Sequence, residues 1–354
     1  MSEMVLMKGN EAMSEAAIKC GCRYYFGYPI TPQNEIAEYM AARMPKAGGF
    51  SLQAESELAA INMVLGASAA GARVMTSSSS PGVSLKTEGI SYIVGSDLPC
   101  VIANVQRGGP GLGGIQPAQS DYYQATKAMG HGDMRLIVLA PNSVQEMVEL
   151  TGLAFDLADK YRMPVMILAD GALGQMMEPV DFGKLQINQP PEKPWATVGH
   201  QDKRKPNIIN SLYLEPEELE QTIIERQKTK YEIIDEKEPR YEESGAEGSD
   251  IVIVSYGISS RIARAAVDMC RNQGIKAGYF RPVTLSPFPS KRLGEIENKT
   301  KRFLVTELNM GQMVDDVKLA TECKRPVGFF GRTGGIISTR EEIYEAVVKA
   351  LGQG

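Results

Sequence analysis

The chain has 354 residues, 43% of them hydrophobic, and a formal net charge of -5. That length suggests two domains, each able to bury its own core, and a mildly acidic chain without a lysine or arginine stripe is not expected to bind nucleic acid. Residues 1–8 lack the basic start and long apolar run of a signal peptide and no segment reaches membrane-spanning length, so a cytoplasmic protein without membrane contact is expected.

In the first half, apolar runs at 22–26, 49–53, 73–77, 99–105, 136–140 and 165–169 alternate with helical patterns at 11–19, 35–44, 58–70, 85–94, 122–129 and 144–160. Several runs are near-continuously apolar, as strands buried on both faces are, and the alternation predicts a parallel sheet covered by helices. The first domain of this α/β protein is placed at 1–180. Between 181 and 249 lie Gln189-Pro-Pro-Glu-Lys-Pro194, a charged helix at 217–228 and a run of charged residues and glycine at 236–249. That texture predicts a connector, much of it solvated or draped over a neighbour. Regular structure resumes in a smaller α/β domain at 250–354, with strands at 251–255, 276–280, 303–307 and 327–330 and helices at 260–271, 290–298, 313–320 and 340–351.

Five cysteines, at 20, 22, 100, 270 and 323, have neither framework nor ligand spacing, and only His131 and His200 could join them. No disulfide scaffold or metal site is predicted for this chain.

Tyr28-Pro-Ile-Thr-Pro32 stands out first. Prolines on both sides of Thr31 fix the backbone around one hydroxyl, and the position, between a strand and a helix, is the sheet edge where open α/β proteins bind ligands. A rigid connection without chemistry fits the pentapeptide equally. Glu57 opens a helix whose Ala59, Ala60, Gly66, Ala67, Ala70 and Gly71 allow close approach. Its carboxylate either complements the helix dipole or, desolvated, works as an acid/base group. Arg107 begins the glycine-rich stretch Arg-Gly-Gly-Pro-Gly-Leu-Gly-Gly114, where it is either a surface residue or the guanidinium that a mobile flap brings to a small carboxylate. The formal G-x-G-x-x-G at 109–114 precedes a polar loop instead of a helix and is a weak dinucleotide signal. The serines of Thr76-Ser-Ser-Ser-Ser-Pro-Gly82 either meet a ligand or satisfy the following helix, and Arg281-Pro-Val-Thr-Leu-Ser-Pro-Phe-Pro289 reads as a proline-shaped strand exit.

Taken together, residues 28–32, the Glu57 helix, the Gln106-Arg107-Gly-Gly-Pro loop and the 281–289 segment resemble the alpha subunit of 2-oxoacid:ferredoxin oxidoreductases, over nearly the whole chain. Length and Gly331-Arg-Thr-Gly-Gly335 are most similar to the branched-chain, 2-oxoisovalerate subgroup. The resemblance implies a pyrimidine-binding domain followed by a transketolase C-terminal-like domain, and a reaction that turns a 2-oxoacid and coenzyme A into acyl-CoA and CO2 while reducing ferredoxin. It implies that Glu57 bonds the aminopyrimidine ring of thiamine diphosphate, with Tyr28, Pro29 and Ile30 beside the cofactor. It also gives Thr31 and Arg107 to the substrate's carbonyl and carboxylate. The diphosphate motif and cysteine-rich cluster motifs of single-chain relatives are missing. A beta subunit is therefore expected to hold the diphosphate and Mg2+, and gamma and cluster-bearing subunits the iron–sulfur clusters. A 2-oxoglutarate- or pyruvate-specific member, or the pyrimidine-binding subunit of a transketolase- or decarboxylase-like enzyme, is the alternative.

Overall fold

The computed structural model describes residues 4–200 and 202–352. Its strands are β1 (Val5–Lys8), β2 (Tyr24–Gly27), β3 (Phe50–Gln53), β4 (Val74–Ser78), β5 (Cys100–Gln106), β6 (Ile137–Leu139), β7 (Pro164–Asp170), β8 (Met177–Val180), β9 (Tyr241–Ser244), β10 (Ile251–Ser255), β11 (Ala277–Pro282), β12 (Thr284–Ser286), β13 (Phe303–Glu307) and β14 (Val327–Gly331). The helices that frame the site are α1 (Gly9–Lys19), α2 (Asn34–Arg43), α3 (Glu57–Ala69), α4 (Ser80–Ser84), α5 (Thr87–Gly95), α6 (Tyr122–Thr126), α7 (Val144–Tyr161) and α8 (Gly171–Gln175).

The main sheet has the order β12-β6-β7-β5-β4-β2-β3. Its strands run parallel except β12, which is antiparallel to β6. β5 and β7 are buried along their whole length, which is why their sequences are apolar without alternation. One face is covered by α1, α2 and α7, through residues such as Met13, Ile36, Met40, Val148 and Phe155. The opposite face receives α3 and α5 through Ile61, Val64, Ile90 and Ile93, and this apolar cluster continues into Val252, Val254 and Phe280 of the second sheet. The α/β expectation is met, and the two halves share a core.

The second sheet, β14-β13-β10-β11-β9, is parallel except for β9. β9 lies in the charged stretch read from sequence as connector. Its acidic residues are compatible with a strand because it is an edge, with one side free for charge. The rest of the connector is also tied down: Lys193 meets Asp159 at 2.6 Å, and Tyr231 and Ile234 are buried in the first core. β12, three residues long, leaves the second half of the chain to pair with the first sheet. The ribbon of β1 and β8 was invisible in the sequence because both strands are four residues long and largely exposed.

Arg281 locks these pieces together. It is fully buried; its guanidinium reaches Glu146 Oε1 on α7 at 2.9 Å, Glu242 Oε2 on β9 at 3.1 Å and the carbonyl of Ala140 at 3.2 Å. Removing one partner of such an array strands the others, so Arg281→Ala is predicted to destabilise the chain by about 3–5 kcal/mol in denaturant unfolding. Arg281→Met, which keeps the volume, is predicted to cost less. A loss of stability no larger than that of an exposed substitution would show that this array does not hold the halves together.

Candidate active site

Four adjacent strands, β3, β2, β4 and β5, end on the same edge of the main sheet, and each is followed by one of the residue groups singled out above. Glu57 follows β3, residues 28–32 follow β2, the serines and Gly82 follow β4, and Arg107 follows β5. The chain runs from β2 outward to β3 and then back across to β4, so the order reverses at β2. Helices leaving to opposite faces there open a crevice at the carboxyl ends.

Glu57 is the first residue of α3. Ser56 is extended and caps the helix, its hydroxyl accepting from the Ala59 amide at 3.1 Å. This cap turns the Glu57 side chain inward: it is buried, whereas Glu55 is exposed. Its Oε1 lies against Gly82, where a Cβ would stand only 2.7 Å away, with Ser78 Oγ at 2.2 Å. Glycine is needed at 82 for the carboxylate and the hydroxyl to share that space. On its outer side α3 presents exposed Leu58 and an open Gly66, and Leu85, Tyr92, Phe50 and Leu52 nearby in the fold are exposed as well.

Thr31 and Arg107 are brought together. Arg107 Nη1 donates to the Thr31 carbonyl at 3.0 Å and Nη2 to the Leu112 carbonyl at 3.1 Å, which folds the glycine-rich loop back over the guanidinium. Arg107 is therefore a buried residue, not a surface one, and its Nε–H has no partner. The loop closes on itself through the Gly114 amide and the Gly108 carbonyl at 3.0 Å; a side chain at Gly113, where φ is +58°, would strike that carbonyl. The loop tip is apolar and exposed, with Leu112 84% accessible. Thr31 is half-buried, and its Oγ1 accepts from Asn34 Nδ2 at 3.3 Å, which leaves the hydroxyl proton free to donate. Beside it a cavity of about 460 Å3 is lined by Pro32, Ile115, Pro117, Gly171 and Ala172 among others. Tyr28 and Ile30 are half-buried and Pro29 is exposed. Gln33 Nε2 braces the Tyr28 carbonyl at 3.1 Å, and Pro29 lines a second cavity of about 340 Å3 with Tyr25 and Gln53.

The helix-satisfying role that the sequence left open is not seen: Ser79 precedes α4 without a side-chain cap. Ser77 donates to Gln33 at 2.5 Å and pairs with the Tyr25 hydroxyl at 2.6 Å, and Ser80 bonds Asp121 at 2.6 Å and accepts from the Arg107 amide at 3.0 Å. Ser78 and Ser79 are fully buried with no hydrogen-bond partner for either hydroxyl. Ser80 holds a left-handed φ of +26°, a strained value for a residue with a side chain. The turn thus touches Glu57 through Gly82 and Arg107 through Ser80.

Three residues here were not singled out by the sequence. Asp121 lies in the polar loop after Pro117, where burial holds its carboxyl above the ordinary aspartate range against hydrogen bonds from Ser80 and Asn104. Asp170 ends β7, the next strand along, and burial pushes its carboxyl up to about 6 although the Leu173 and Ala172 amides bond it. Neither position carried a sequence signal. Lys86 is fully buried, and a signal for it existed: a lysine on the apolar helix face one and two turns before Ile90 and Ile93.

A split-gene transketolase shares the fold of this chain at a TM-score of 0.59 and 15% identity, with 98% of each chain covered. The sequence is more specific. Residues 15–249 match the family model described as pyruvate flavodoxin/ferredoxin oxidoreductase, thiamine diphosphate-binding, and 249–343 match pyruvate:ferredoxin oxidoreductase core domain II. The chain belongs to this oxidoreductase family, as the resemblance implies. The ketoisovalerate oxidoreductase subunit VorB of Methanothermobacter marburgensis is 49% identical, with 98% of each chain covered. The 2-oxoglutarate synthase subunit KorA of Methanocaldococcus jannaschii is 36% identical over 97% of this chain and 98% of its own. A solved 2-oxoglutarate:ferredoxin oxidoreductase from Magnetococcus marinus, with 2-oxoglutarate, coenzyme A and succinyl-CoA bound, matches at a TM-score of 0.86 and 29% identity, over 99% of this chain and 66% of that one. Among the described residues no helix is long and apolar enough to cross a membrane.

Asp170 gives a test of the electrostatics of this edge. An aspartate that holds its proton more tightly folded than unfolded makes the folded state lose stability as pH rises from 3.8 to about 6. Asp170→Asn keeps the oxygen that caps α8 and removes the titrating proton, while its amide NH2 faces the Ile258 N–H that the carboxylate accepts, so the variant is predicted to lose the pH slope in that window. Thermal unfolding at a series of pH values reads the slope; an unchanged slope would place the titration elsewhere.

Proposed function

We propose that this chain is the catalytic alpha subunit of a multi-subunit, cytoplasmic 2-oxoacid:ferredoxin oxidoreductase, and that the row of strand ends from β3 to β5 is its half of a thiamine-diphosphate site. The observation that carries the reading is the convergence of Glu57, Thr31 and Arg107 on one edge through a single strained turn. The residues present fit the pyrimidine half of the cofactor: a buried carboxylate, two partnerless serine hydroxyls and a glycine that leaves the Glu57 oxygen uncovered. When bound, the cofactor supplies the carbon nucleophile and the electron sink that decarboxylation of a 2-oxoacid requires.

Glu57 holds a proton at the aminopyrimidine ring nitrogen, with Tyr28, Pro29 and Ile30 along the ring. Arg107 pairs with the substrate carboxylate through the guanidinium whose Nε–H now lacks a partner, and the hydroxyl proton of Thr31 donates to the substrate carbonyl. The glycines after Arg107 let the loop open for the larger acyl-CoA product. The diphosphate with its Mg2+ is assigned to a beta subunit docked on the exposed apolar face around Leu58, Leu85 and Tyr92, and the iron–sulfur clusters to gamma and cluster-bearing partners that pass electrons to ferredoxin. A branched-chain substrate is favoured by 48–49% identity to ketoisovalerate oxidoreductase subunits against 34–36% to 2-oxoglutarate synthase subunits. The cavity beside Thr31, with the Glu35 carboxylate and no lysine or arginine in its lining, disfavours a substrate with a second carboxylate.

In the assembled complex Glu57→Gln is predicted to slow exchange of the thiazolium proton roughly 10²–10⁴-fold with assembly intact, the range lost with an acid/base group. Unchanged exchange would move the role to another residue. Arg107→Ala is predicted to cost about 2–5 kcal/mol in kcat/KM with cofactor affinity spared, and Arg107→Lys to be damaging because the ammonium keeps charge but loses the fork. Wild-type kcat/KM in Arg107→Ala would contradict the assignment. Viologen reduction with 2-oxoisovalerate, pyruvate and 2-oxoglutarate tests the substrate, and preference for 2-oxoglutarate would overturn the branched-chain reading.

A further inference from the structure

Asp121 ends the polar loop between β5 and α6, and one of its carboxylate oxygens takes two hydrogen bonds. Oδ2 accepts from the Ser80 hydroxyl at 2.6 Å and from Asn104 Nδ2 at 3.0 Å. Asn104 in turn accepts the Ser80 N–H on its own Oδ1 at 3.1 Å, so Ser80 is gripped at its backbone and at its side chain by one connected pair. This is the residue held at a φ of +26°. A backbone in that region persists only where its surroundings over-determine it, and such strain collects where a site uses it.

Ser80 stands between Asp121 and Arg107. Its Oγ accepts from the Arg107 amide at 3.0 Å and also lies 3.2 Å from the Arg107 carbonyl. A hydroxyl has one proton to give. With Asp121 taking that proton at the shorter distance, the bonds run in one direction, from the Arg107 N–H to Ser80 and from Ser80 to the carboxylate. Without the acceptor the proton turns to the Arg107 carbonyl, and nothing holds the hydroxyl from behind. Both side-chain partners of Asp121 are neutral. Desolvating a carboxylate without a cation is costly, so stability alone would be served better by a neutral acceptor.

The loop that carries Asp121 is fixed by the second half of the chain. The Gln119 amide donates to the Leu308 carbonyl at 3.0 Å, Asn309 Nδ2 to the Gln119 carbonyl at 2.7 Å and Gln312 Nε2 to the Ser120 carbonyl at 2.8 Å. Gly335 packs so closely on the same loop that a Cβ there would stand 2.2 Å from the Cβ of Gln116.

We propose that Asp121 is a positioning residue for the substrate: through Ser80 it fixes the backbone from which the Arg107 guanidinium reaches the 2-oxoacid carboxylate, and it carries to that point the hold that the second half of the chain has on the loop. This rests on the reading of Arg107 above. Asp121 acts through Ser80 and Arg107, not on the reacting atoms.

The test is a double-mutant cycle in the assembled complex, with kcat/KM for 2-oxoisovalerate measured in the wild type, Arg107→Ala, Asp121→Leu and the pair. Asp121→Leu, similar in size but without an acceptor, is expected to lose about 10²-fold, the scale of an ångström's misplacement. Added to Arg107→Ala it is expected to lose no more than about twofold further, because the residue it positions is already gone. The same loss in both backgrounds would overturn the proposal and leave Asp121 a packing residue. Wild-type kcat/KM in Arg107→Ala would overturn the reading of Arg107 and this inference with it. Asp121→Asn, whose amide oxygen can accept both bonds, is expected to recover most of the loss; a variant as slow as Asp121→Leu would overturn the proposal by giving the role to the charge.

A second readout needs no cofactor. Hydrogen–deuterium exchange of the full chain, read on peptides spanning 105–116, is expected to quicken in Asp121→Leu and not in Asp121→Asn, while peptides of β10 exchange as in the wild type. Unchanged exchange over 105–116, or an equal rise in β10, would contradict the proposal. If Asp121→Leu does not fold, Ser80→Gly takes its place in the cycle, since glycine suits the left-handed φ and removes the hydroxyl. An equal loss with and without Arg107 would again overturn the proposal.

Discussion

The constraint on which the rest depends is the parallel alignment of β3, β2, β4 and β5. Parallel strands all point their carboxyl ends the same way, so segments up to about eighty residues apart in sequence, from Tyr28 to Arg107, open onto one edge without any long loop having to reach it. The reversal of order at β2 then separates the helices and leaves the crevice. What the sequence places after each strand decides the chemistry: a capped carboxylate, a hydroxyl between prolines, a strained serine turn and a guanidinium under a glycine loop.

The electrostatics of that edge follow from how little water it keeps. Glu57, Arg107, Ser78 and Ser79 are all buried, and three donors among them, the two serine hydroxyls and the Arg107 Nε–H, lack partners. Unmet donors of this kind are costly in a resting protein and become useful when a ligand supplies the acceptors. The second half of the chain supports this edge instead of contributing to it directly. β12 extends the main sheet, Arg281 fastens β11 to α7 and β9, and Gln119 is held from both sides, donating to the Tyr256 carbonyl at 2.8 Å and accepting from Ser259 at 2.7 Å and the Leu308 amide at 3.0 Å.

Much of this was legible in the sequence because the fold repeats one pattern. β10 and β13 fall at 251–255 and 303–307 as their apolar runs predict, and α3 begins at Glu57, one residue before the expected start at 58. Residues 28–32, Glu57 and Arg107 could be found because prolines, a helix-opening carboxylate and a glycine-rich loop are local signals. What escaped was non-local. β9 pairs at an edge that tolerates charge, β12 pairs Thr284 with Leu139, far back in the first half of the chain, and Asp121 and Asp170 are defined by burial that no neighbour in sequence announces. The guanidinium of Arg107 was read as either exposed or swung in by a flap; in the folded chain it is buried and held by the carbonyls of Thr31 and Leu112, a contact no spacing encodes.

The central claim is that this edge receives the pyrimidine ring of thiamine diphosphate. The most direct measurement is the structure of the assembled complex with thiamine diphosphate and Mg2+ bound. The account predicts the ring nitrogen within hydrogen-bonding distance of the Glu57 carboxylate, with the Arg107 loop over the reacting carbon and the diphosphate held by the partner. A cofactor whose ring lies away from the ends of β3 and β4, with Glu57 bonded to protein alone, would contradict it.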